Sequence, residues 1–287
     1  MRVLIFGLEG QLGGQLVEAL AGHEVSGPVR RTCDISSPDD VEIAVAGTGA
    51  NWVIAAAAMT DVDGCESHPD KAFAINAAGA LYAARSAAAI GARTLLISTD
   101  YVFDGRSATD YVESDPTAPL NVYGASKLAG EHLVRIADPA AVILRTSGLF
   151  GRPGPESVNS NFVDTMLRLG TERSELSVVD DERLSPTYAA DLAGQITHLI
   201  ESNPGPGVYH AASTGDCSWF EFASAIFERA RKKVKLRRIT AAQWGAPAKR
   251  PARSVLDNAA LRRAGLDIMP PWQDALERYL AERDLIS

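Results

Sequence analysis

A tyrosine and a lysine four residues apart, Tyr123 and Lys127, form a pair suited to acid–base chemistry. In a helix they share one face, so a phenol and an ammonium group can reach the same ligand. A lysine cation beside the phenol favours the phenolate, lowers the tyrosine pKa and makes the tyrosine a proton donor near neutral pH. The pair alone also fits a half-buried tyrosine beside a solvated lysine, so the surrounding sequence has to decide.

A hydroxyl group is expected close to that pair. The apolar run from Arg93 to Ser98 predicts a parallel strand, and Thr99 then lies at its carboxyl end, where open α/β folds bind their ligands. There, Ser98 or Thr99 can donate to a carbonyl oxygen, Tyr123 can supply a proton, and Lys127 can tune the tyrosine and hold a nicotinamide ribose. With a hydride from the cofactor, the sequence predicts reduction of a carbonyl group.

The start of the chain predicts a strand, a glycine turn and a helix. Gly7, Gly10 and Gly13 give the spacing GxxGxxG directly after the apolar run from Arg2 to Phe6. Such a turn lets the backbone approach a pyrophosphate, and the helix N-terminus offers it free N–H groups. The residues expected to bind the dinucleotide are Gly7, Gly10, Gln11, Leu12, Gly13, Arg30, Arg31, Asp34, Ile35, Ala56, Ala57 and Lys127.

The second strand, expected over Glu24 to Val29, indicates which dinucleotide is bound. NAD-selective proteins place a carboxylate after this strand, whereas a 2′-phosphate calls for arginine. The chain continues Pro28-Val29-Arg30-Arg31, without a carboxylate. We therefore predict NADPH, with Arg30 or Arg31 pairing the 2′-phosphate and NADH as the alternative cofactor.

Strands alternate with helices over the first half of the chain, which predicts a Rossmann-type, doubly wound parallel sheet of the α/β class. A dinucleotide-binding domain is expected over residues 1–151. Residues 152–287, where the rhythm breaks, are expected to form mainly a smaller C-terminal α/β substrate-binding lobe, with some segments returning to the sheet. A long helix is expected over Pro69 to Ile90, and an amphipathic helix over Asn159 to Leu169.

Composition excludes several function classes. The 287 residues are 46% hydrophobic and 22% charged, as in ordinary globular proteins, and carry a net charge of −8, which argues against nucleic-acid binding. No apolar run is long enough to span a membrane, and a cytoplasmic protein is expected. Three widely spaced cysteines support neither a disulfide framework nor a metal site.

Several motifs together resemble the extended short-chain dehydrogenase/reductases, whose glycine motif is GxxGxxG, and within them the dTDP-4-dehydrorhamnose reductase family. The match runs nearly end to end. The motifs are Gly10 to Gly13 (GQLG), Met59 to Asp63 (MTDVD), Ser98 to Gly105 (STDYVFDG), Asn121 to Glu131 (NVYGASKLAGE), Asn161 to Leu169 (NFVDTMLRL) and Ser185 to Asp191 (SPTYAAD).

The resemblance implies an NADPH-dependent reductase of the C4 ketone of a dTDP-4-keto-6-deoxyhexose, making dTDP-L-rhamnose or a related deoxysugar. It implies that Thr99, Tyr123 and Lys127 are catalytic and that Arg250 lies near the substrate diphosphate. The residues expected to contact the nucleotide sugar are Thr60, Val62, Thr99, Asp100, Tyr101, Tyr123, Asn161 and Arg250.

Three departures from the family pattern bear on the sugar and on assembly. Gly148 stands where the family usually has tryptophan, so an aromatic wall of the sugar site is missing. The family's asparagine before the alanines is replaced in the run Ala55 to Ala58. Gln15 and Ala190 stand where some members hold a divalent ion between subunits, so that dimer is not implied, and both a monomer and a homodimer stay open.

Two other functions fit this fold. A nucleotide-sugar epimerase is one, and a non-catalytic NADP-binding regulatory subunit, resembling that of methionine adenosyltransferase, is the other. Sugar dehydratases carry glutamate where this chain has Tyr101, which argues against elimination of water. The intact set of Thr99, Tyr123 and Lys127 favours an enzyme, while the hexose, the nucleotide base and the stereochemistry stay open.

Overall fold

The computed structural model describes residues 1–154 and 161–284. The strands are β1 (Arg2–Phe6), β2 (Glu24–Ser26), β3 (Trp52–Ala55), β4 (Arg93–Thr99), β5 (Val142–Thr146), β6 (Leu149–Phe150), β7 (Glu175–Val179), β8 (Arg183–Leu184), β9 (Thr187–Tyr188), β10 (Gly207–His210), β11 (Cys217–Ser218) and β12 (Lys235–Ile239). The α-helices are α1 (Gln11–Ala19), α2 (Pro38–Val45), α3 (Val62–Ser67), α4 (Pro69–Phe73), α5 (Ala80–Ala89), α6 (Val122–Ala137), α7 (Phe162–Glu172), α8 (Ala189–Glu201), α9 (Trp219–Arg229), α10 (Ala241–Trp244), α11 (Ala259–Ala264) and α12 (Trp272–Glu282).

A six-stranded parallel sheet forms the centre of the molecule, in the order β10-β5-β4-β3-β1-β2. Side chains alternate between its faces, as the pleat requires. Ile5 and Leu144 join the core beneath α1 and α8, whereas Phe6 and Ile143 join the core beneath α2, α5 and α6. Helices on both faces confirm the predicted doubly wound fold.

The C-terminal half supplies both sheet and lobe. Strand β10 pairs with β5 and so adds the sixth strand to the sheet. The remaining short strands pair as β6 with β9, β7 with β12 and β8 with β11, around an aromatic core that includes Phe150, Phe222 and Tyr279. The division at residues 151 and 152 stays a prediction.

Two elements differ from expectation. Strand β2 ends at Ser26 rather than Val29 because Pro28 has no N–H for the ladder. The long helix expected over Pro69 to Ile90 is interrupted by a π-helical turn at Ala74–Gly79. Within this turn the Asn76 side chain forms hydrogen bonds with the backbone N–H and carbonyl of Met59, which connect the helix to the loop after β3.

The predicted helix over Asn159 to Leu169 begins at Phe162, and Asn159 lies outside the described residues. Within the described ranges, no helix is both long and apolar enough to cross a membrane.

Candidate active site

Thr99 is the last residue of β4, and its hydroxyl is buried at the carboxyl edge of the sheet. The Oγ1 atom donates to Asp100 Oδ1 at 3.0 Å and accepts from the backbone N–H of Tyr101 at 3.2 Å. The second bond begins a short 3₁₀ turn, Asp100–Val102, so the strand ends with the hydroxyl held in one orientation.

Helix α6 brings Tyr123 to this hydroxyl. Asn121 caps the helix by accepting from Gly124 N at 2.8 Å, and it also donates to the carbonyl of Lys249. Only glycine fits at position 124, because a Cβ there would lie 2.1 Å from the carbonyl oxygen of Tyr101. The helix therefore starts directly against the 3₁₀ turn that follows Thr99.

The Thr99 hydroxyl lies close enough to the Tyr123 phenol to lower its pKa, and the Tyr101 ring stands edge-to-face on Tyr123 at 5.9 Å between centroids. Burial raises the pKa of Tyr123, and Asp100 and Cys65 add to the rise, while the Thr99 hydroxyl lowers it. The shift is opposite to the expected lowering by Lys127, because burial dominates the pKa of Tyr123 and the Lys127 ammonium donates to Ile97 instead.

Lys127 lies one turn further along the same face of α6 and is almost fully buried, at 3% exposure. Its Nζ donates to the carbonyl oxygen of Ile97 on β4 at 2.6 Å. Burial lowers the pKa of Lys127 to about 8, while Glu131 raises it. The ammonium is thus fixed beside β4, between Tyr123 and Glu131 along the helix.

Asp100 lies behind Thr99 rather than in front of it. Its carboxylate is buried, accepts from the hydroxyls of Thr99 and Ser147, and lies near the Ser254 hydroxyl, which also lowers its pKa. Burial raises the pKa of Asp100 to about 6, and the three hydroxyls limit the rise. With its oxygens engaged by protein, Asp100 orients Thr99 rather than offering a free carboxylate to a substrate.

The glycine turn fits the close approach of a pyrophosphate. Gly7 has φ +91°, and a Cβ there would lie 2.7 Å from the backbone N of Ala57. A Cβ at Gly13 would lie 2.1 Å from the carbonyl oxygen of Gly7. Gly10 caps α1, and no acidic side chain occupies the first turn, so the first N–H groups, at Gln11 and Leu12, suit an anion.

The segment after β2 carries the other predicted cofactor residues. Arg30 and Arg31 are exposed, and Ile35 is half-buried. Asp34 accepts from the backbone and hydroxyl of Ser36, which hold its pKa below its usual value. A second carboxylate beside this segment belongs to Glu9 of the glycine turn, which accepts from Arg30 N at 3.1 Å.

On the substrate side, Thr60 is exposed and Val62 is the first residue of α3. Arg250 pairs with Asp63 on the same helix and is partly buried. Glu182, only 8% exposed, lies near enough to Arg250 and Asp181 for their charges to alter its pKa, which burial raises. The substrate side of the site therefore carries the positive charge of Arg250 beside the acidic groups of Asp63 and Glu182.

Asn161, which the sequence predicts to bind substrate, is engaged by protein groups. Its Oδ1 caps α7 by accepting from Asp164 N, and its Nδ2 donates to the carbonyl of Gly151 at 2.7 Å. Nδ2 also lies within bonding distance of Tyr279. Since protein groups satisfy both ends of the amide, Asn161 has a structural role at the junction of β6 and α7.

Gly148 directly follows Ser147, whose hydroxyl donates to Asp100. Its φ is +53°, and a Cβ there would lie 2.5 Å from Cδ1 of Leu184. The buried Leu184 side chain of β8 thus occupies the space beside position 148, where the family usually has tryptophan.

Sequence reasoning missed several supporting residues: Glu9, Asp63, Asn76, Glu131, Arg145, Ser147, Glu182 and Ser254. Of these, Glu131 had a detectable signal, since it follows Tyr123 and Lys127 at the same four-residue spacing. The others come from distant segments, and only the fold brings them to the site.

A doubly wound sheet with a glycine turn at its first strand and a Thr–Tyr–Lys set at its carboxyl edge defines a short-chain dehydrogenase/reductase. Comparison with known proteins gives the family: the model described as the RmlD substrate binding domain matches residues 1–285. The chain therefore belongs to the RmlD substrate-binding-domain family.

Relatives of similar length are known. The chain is 42% identical to the spore coat polysaccharide biosynthesis protein SpsK of Bacillus subtilis, and 37% identical to the dTDP-4-dehydrorhamnose reductase of Escherichia coli, with 98% of both chains covered in each case. It is also similar to the crystal structure of dTDP-4-dehydrorhamnose reductase from Bacillus anthracis in complex with NADP. That likeness has a TM-score of 0.93 and 42% identity, covering 98% of this chain and 99% of the other.

Proposed function

We propose that this protein is an NADPH-dependent reductase of the C4 ketone of a dTDP-4-keto-6-deoxyhexose, acting as a dTDP-4-dehydrorhamnose reductase. The observation that carries the proposal is the placement of the buried Thr99 hydroxyl beside the Tyr123 phenol, with the buried Lys127 one turn further along α6. The full-length similarity to dTDP-4-dehydrorhamnose reductases supports the same reaction.

The roles of the three residues follow from their positions. Thr99 Oγ1 is positioned by Asp100 and by Tyr101 N, and turning its one hydroxyl hydrogen from Asp100 toward a substrate oxygen would let it donate there. The Tyr123 phenol is un-ionised because burial raises its pKa, so it carries the proton that a forming alkoxide needs. Lys127 lies on the same face of α6 as Tyr123, where its ammonium can hold a ribose hydroxyl.

The residues present fit a dinucleotide. The glycine turn and the first turn of α1 would hold its pyrophosphate, with Ala56 and Ala57 alongside, and Asp34 and Ile35 would border its adenine end. The bound cofactor supplies the hydride. Arg30 or Arg31 would pair the 2′-phosphate, in keeping with the NADP-bound relative.

The nucleotide sugar would lie over the carboxyl edge of the sheet, against Thr60, Val62 and Tyr101. Arg250 would bind its diphosphate, because a guanidinium forms two parallel bonds to phosphate oxygens as it does here to Asp63.

The test is oxidation of NADPH, followed by its absorbance, with dTDP-4-keto-6-deoxy sugars as substrates. Turnover is expected with at least one of them. Tyr123→Phe should remove most activity while circular dichroism and NADPH binding stay unchanged. Tyr209→Phe, which removes a hydroxyl that donates to the carbonyl of the exposed Gly205, is the matched control and should retain activity. A protein that binds NADPH but reduces none of these sugars would refute the proposal.

A further inference from the structure

A buried ion pair lies directly behind the Thr–Tyr–Lys set. Arg145 on β5 donates to Glu131 on α6 through two bonds, Nε to Oε1 at 2.9 Å and Nη2 to Oε2 at 2.7 Å. The two side chains are 5% and 4% exposed. Ser98, the residue before Thr99, donates its hydroxyl to the same Oε1 at 2.5 Å.

One carboxylate therefore joins the three elements that carry the site. Glu131 is on α6, two turns after Tyr123 and one turn after Lys127, on the same face. Ser98 precedes Thr99 on β4 and is in register with Arg145 on β5. A rotation of α6 about its axis would break all three bonds to Glu131.

We propose that Glu131 and Arg145 are a positioning pair for the reduction: they lock the Tyr123–Lys127 face of α6 against the end of β4, and the Glu131 carboxylate keeps Lys127 in its ammonium form. Neither residue touches the reacting atoms. Both act through Tyr123, Lys127 and Thr99.

The charges around Lys127 support the role of Glu131 in keeping Lys127 in its ammonium form. The titratable and charged groups of this region come from four elements: Tyr123 and Glu131 of α6, Asp100 of the 3₁₀ turn, Arg145 of β5 and Cys65 of α3. Asp100 and Cys65 act on the pKa of Tyr123. Burial lowers the pKa of Lys127, and Glu131 is the group that counters it. Without that carboxylate, Lys127 would lose its proton at lower pH.

Titration of the lysine side chains by NMR separates this role from simple stabilisation. The chain contains six lysines, so protein labelled with ¹³C at lysine Cε gives few signals, and Lys127→Arg identifies that of Lys127. Glu131→Gln alone would leave a buried, unpaired arginine. The neutral pair Glu131→Gln/Arg145→Met avoids this, and its Lys127 midpoint is expected to fall by about one pH unit.

The matched control is Asp191→Asn/Arg278→Met, which neutralises a two-bonded ion pair far along the chain between α8 and α12. It should leave the Lys127 midpoint unchanged. An unchanged midpoint in the Glu131/Arg145 double variant would overturn the charge role. Glu131→Asp keeps the charge but shortens its reach, so it should lower kcat with KM for NADPH retained; a wild-type kcat would overturn the positioning role.

The kcat measurement rests on the proposed reduction, whereas the titration needs no substrate. Absence of turnover by the wild-type protein would therefore refute the proposed function, and the Lys127 midpoint would still decide whether Glu131 sets its charge.

Discussion

Arg250 and Asp63 form a two-bonded ion pair that joins the C-terminal segment to the start of α3, with Nη2 to Oδ2 at 3.1 Å and Nη1 to Oδ1 at 3.2 Å. Burial raises the pKa of Asp63, but the bonds from Arg250 and from Ala248 N outweigh it and hold the pKa below its usual value. The guanidinium is therefore oriented before any ligand binds.

Arg250→Lys should raise the KM for the nucleotide sugar about tenfold with little change in kcat, because an ammonium cannot form the two parallel bonds to a diphosphate. Steady-state kinetics at saturating NADPH measures both constants. Arg262→Lys alters an exposed arginine paired with Asp257 and should change neither. An unchanged KM in Arg250→Lys would remove the arginine from the substrate site.

Thr99→Val keeps the shape of the side chain but removes the hydroxyl that donates to Asp100 and lies beside the Tyr123 phenol. We expect kcat to fall by roughly 10²-fold, the usual cost of losing one donor to a developing oxyanion. Thr99→Ser should retain most of the activity, since it keeps the oxygen. Rapid-mixing measurement of NADPH oxidation isolates the chemical step, and equal rates for the valine and serine variants would contradict the role.

The fold and the family could be predicted because they depend on local patterns. Apolar runs of strand length, the glycine turn and the Tyr123–Lys127 spacing are read within short segments, and both predictions are confirmed. The pairing of charged residues at the site could not be predicted from such local patterns. Glu9 reaches Arg30 across 21 positions and Asp63 reaches Arg250 across 187, so these contacts exist only after folding.

Burial explains the remaining differences. The sequence places Lys127 near Tyr123 but does not show that Tyr123 is desolvated, and this desolvation reverses the expected direction of its pKa shift. Asn161 stands in a motif of the family, yet its contacts with Gly151 and Asp164 show a helix cap, which spacing alone does not distinguish from a ligand.

Arg30 and Arg31 should determine the preference for NADPH. Replacing both with alanine should raise the KM for NADPH about tenfold and leave that for NADH nearly unchanged, since only NADPH carries the 2′-phosphate. Glu9→Gln should act oppositely and lower the KM for NADPH, because it removes a negative charge beside Arg30 N. Kinetics with both cofactors measures the ratio, and loss of affinity for both in the double alanine variant would count against phosphate recognition.

Asp100 makes stability depend on pH. Its pKa of about 6 lies above the value of the unfolded chain, so between about pH 4 and 6 the folded state binds more protons. Asp100 therefore adds to the stability of the folded state below about pH 4, and this added stability is lost as the pH rises through 6. Asp100→Asn should flatten this part of the profile, by at most about 3 kcal/mol in the free energy of unfolding. Urea unfolding at pH 4.5 and 7 measures it, and an equal slope in both proteins would show that Asp100 stays ionised.

Gly148 and Leu184 should be energetically coupled. Gly148→Ala combines a left-handed backbone, costing about 1–2 kcal/mol, with a contact on Leu184 that a Cβ would make at 2.5 Å. Leu184→Ala alone costs about 2–5 kcal/mol through its cavity. In the double variant the contact is gone, so the loss should be smaller than the sum by at least about 0.5 kcal/mol.

Gly245→Ala isolates the backbone part of this cost, because Gly245 has φ +67° and no neighbour within 4 Å of a Cβ. Urea unfolding of the four proteins of the cycle, with this control, separates strain from contact. Strict additivity would mean that Leu184 moves aside freely. Energetic coupling would instead mean that an aromatic side chain at position 148 requires a smaller residue at position 184. The two positions would then together set the space beside the Asp100–Ser147 hydrogen bond.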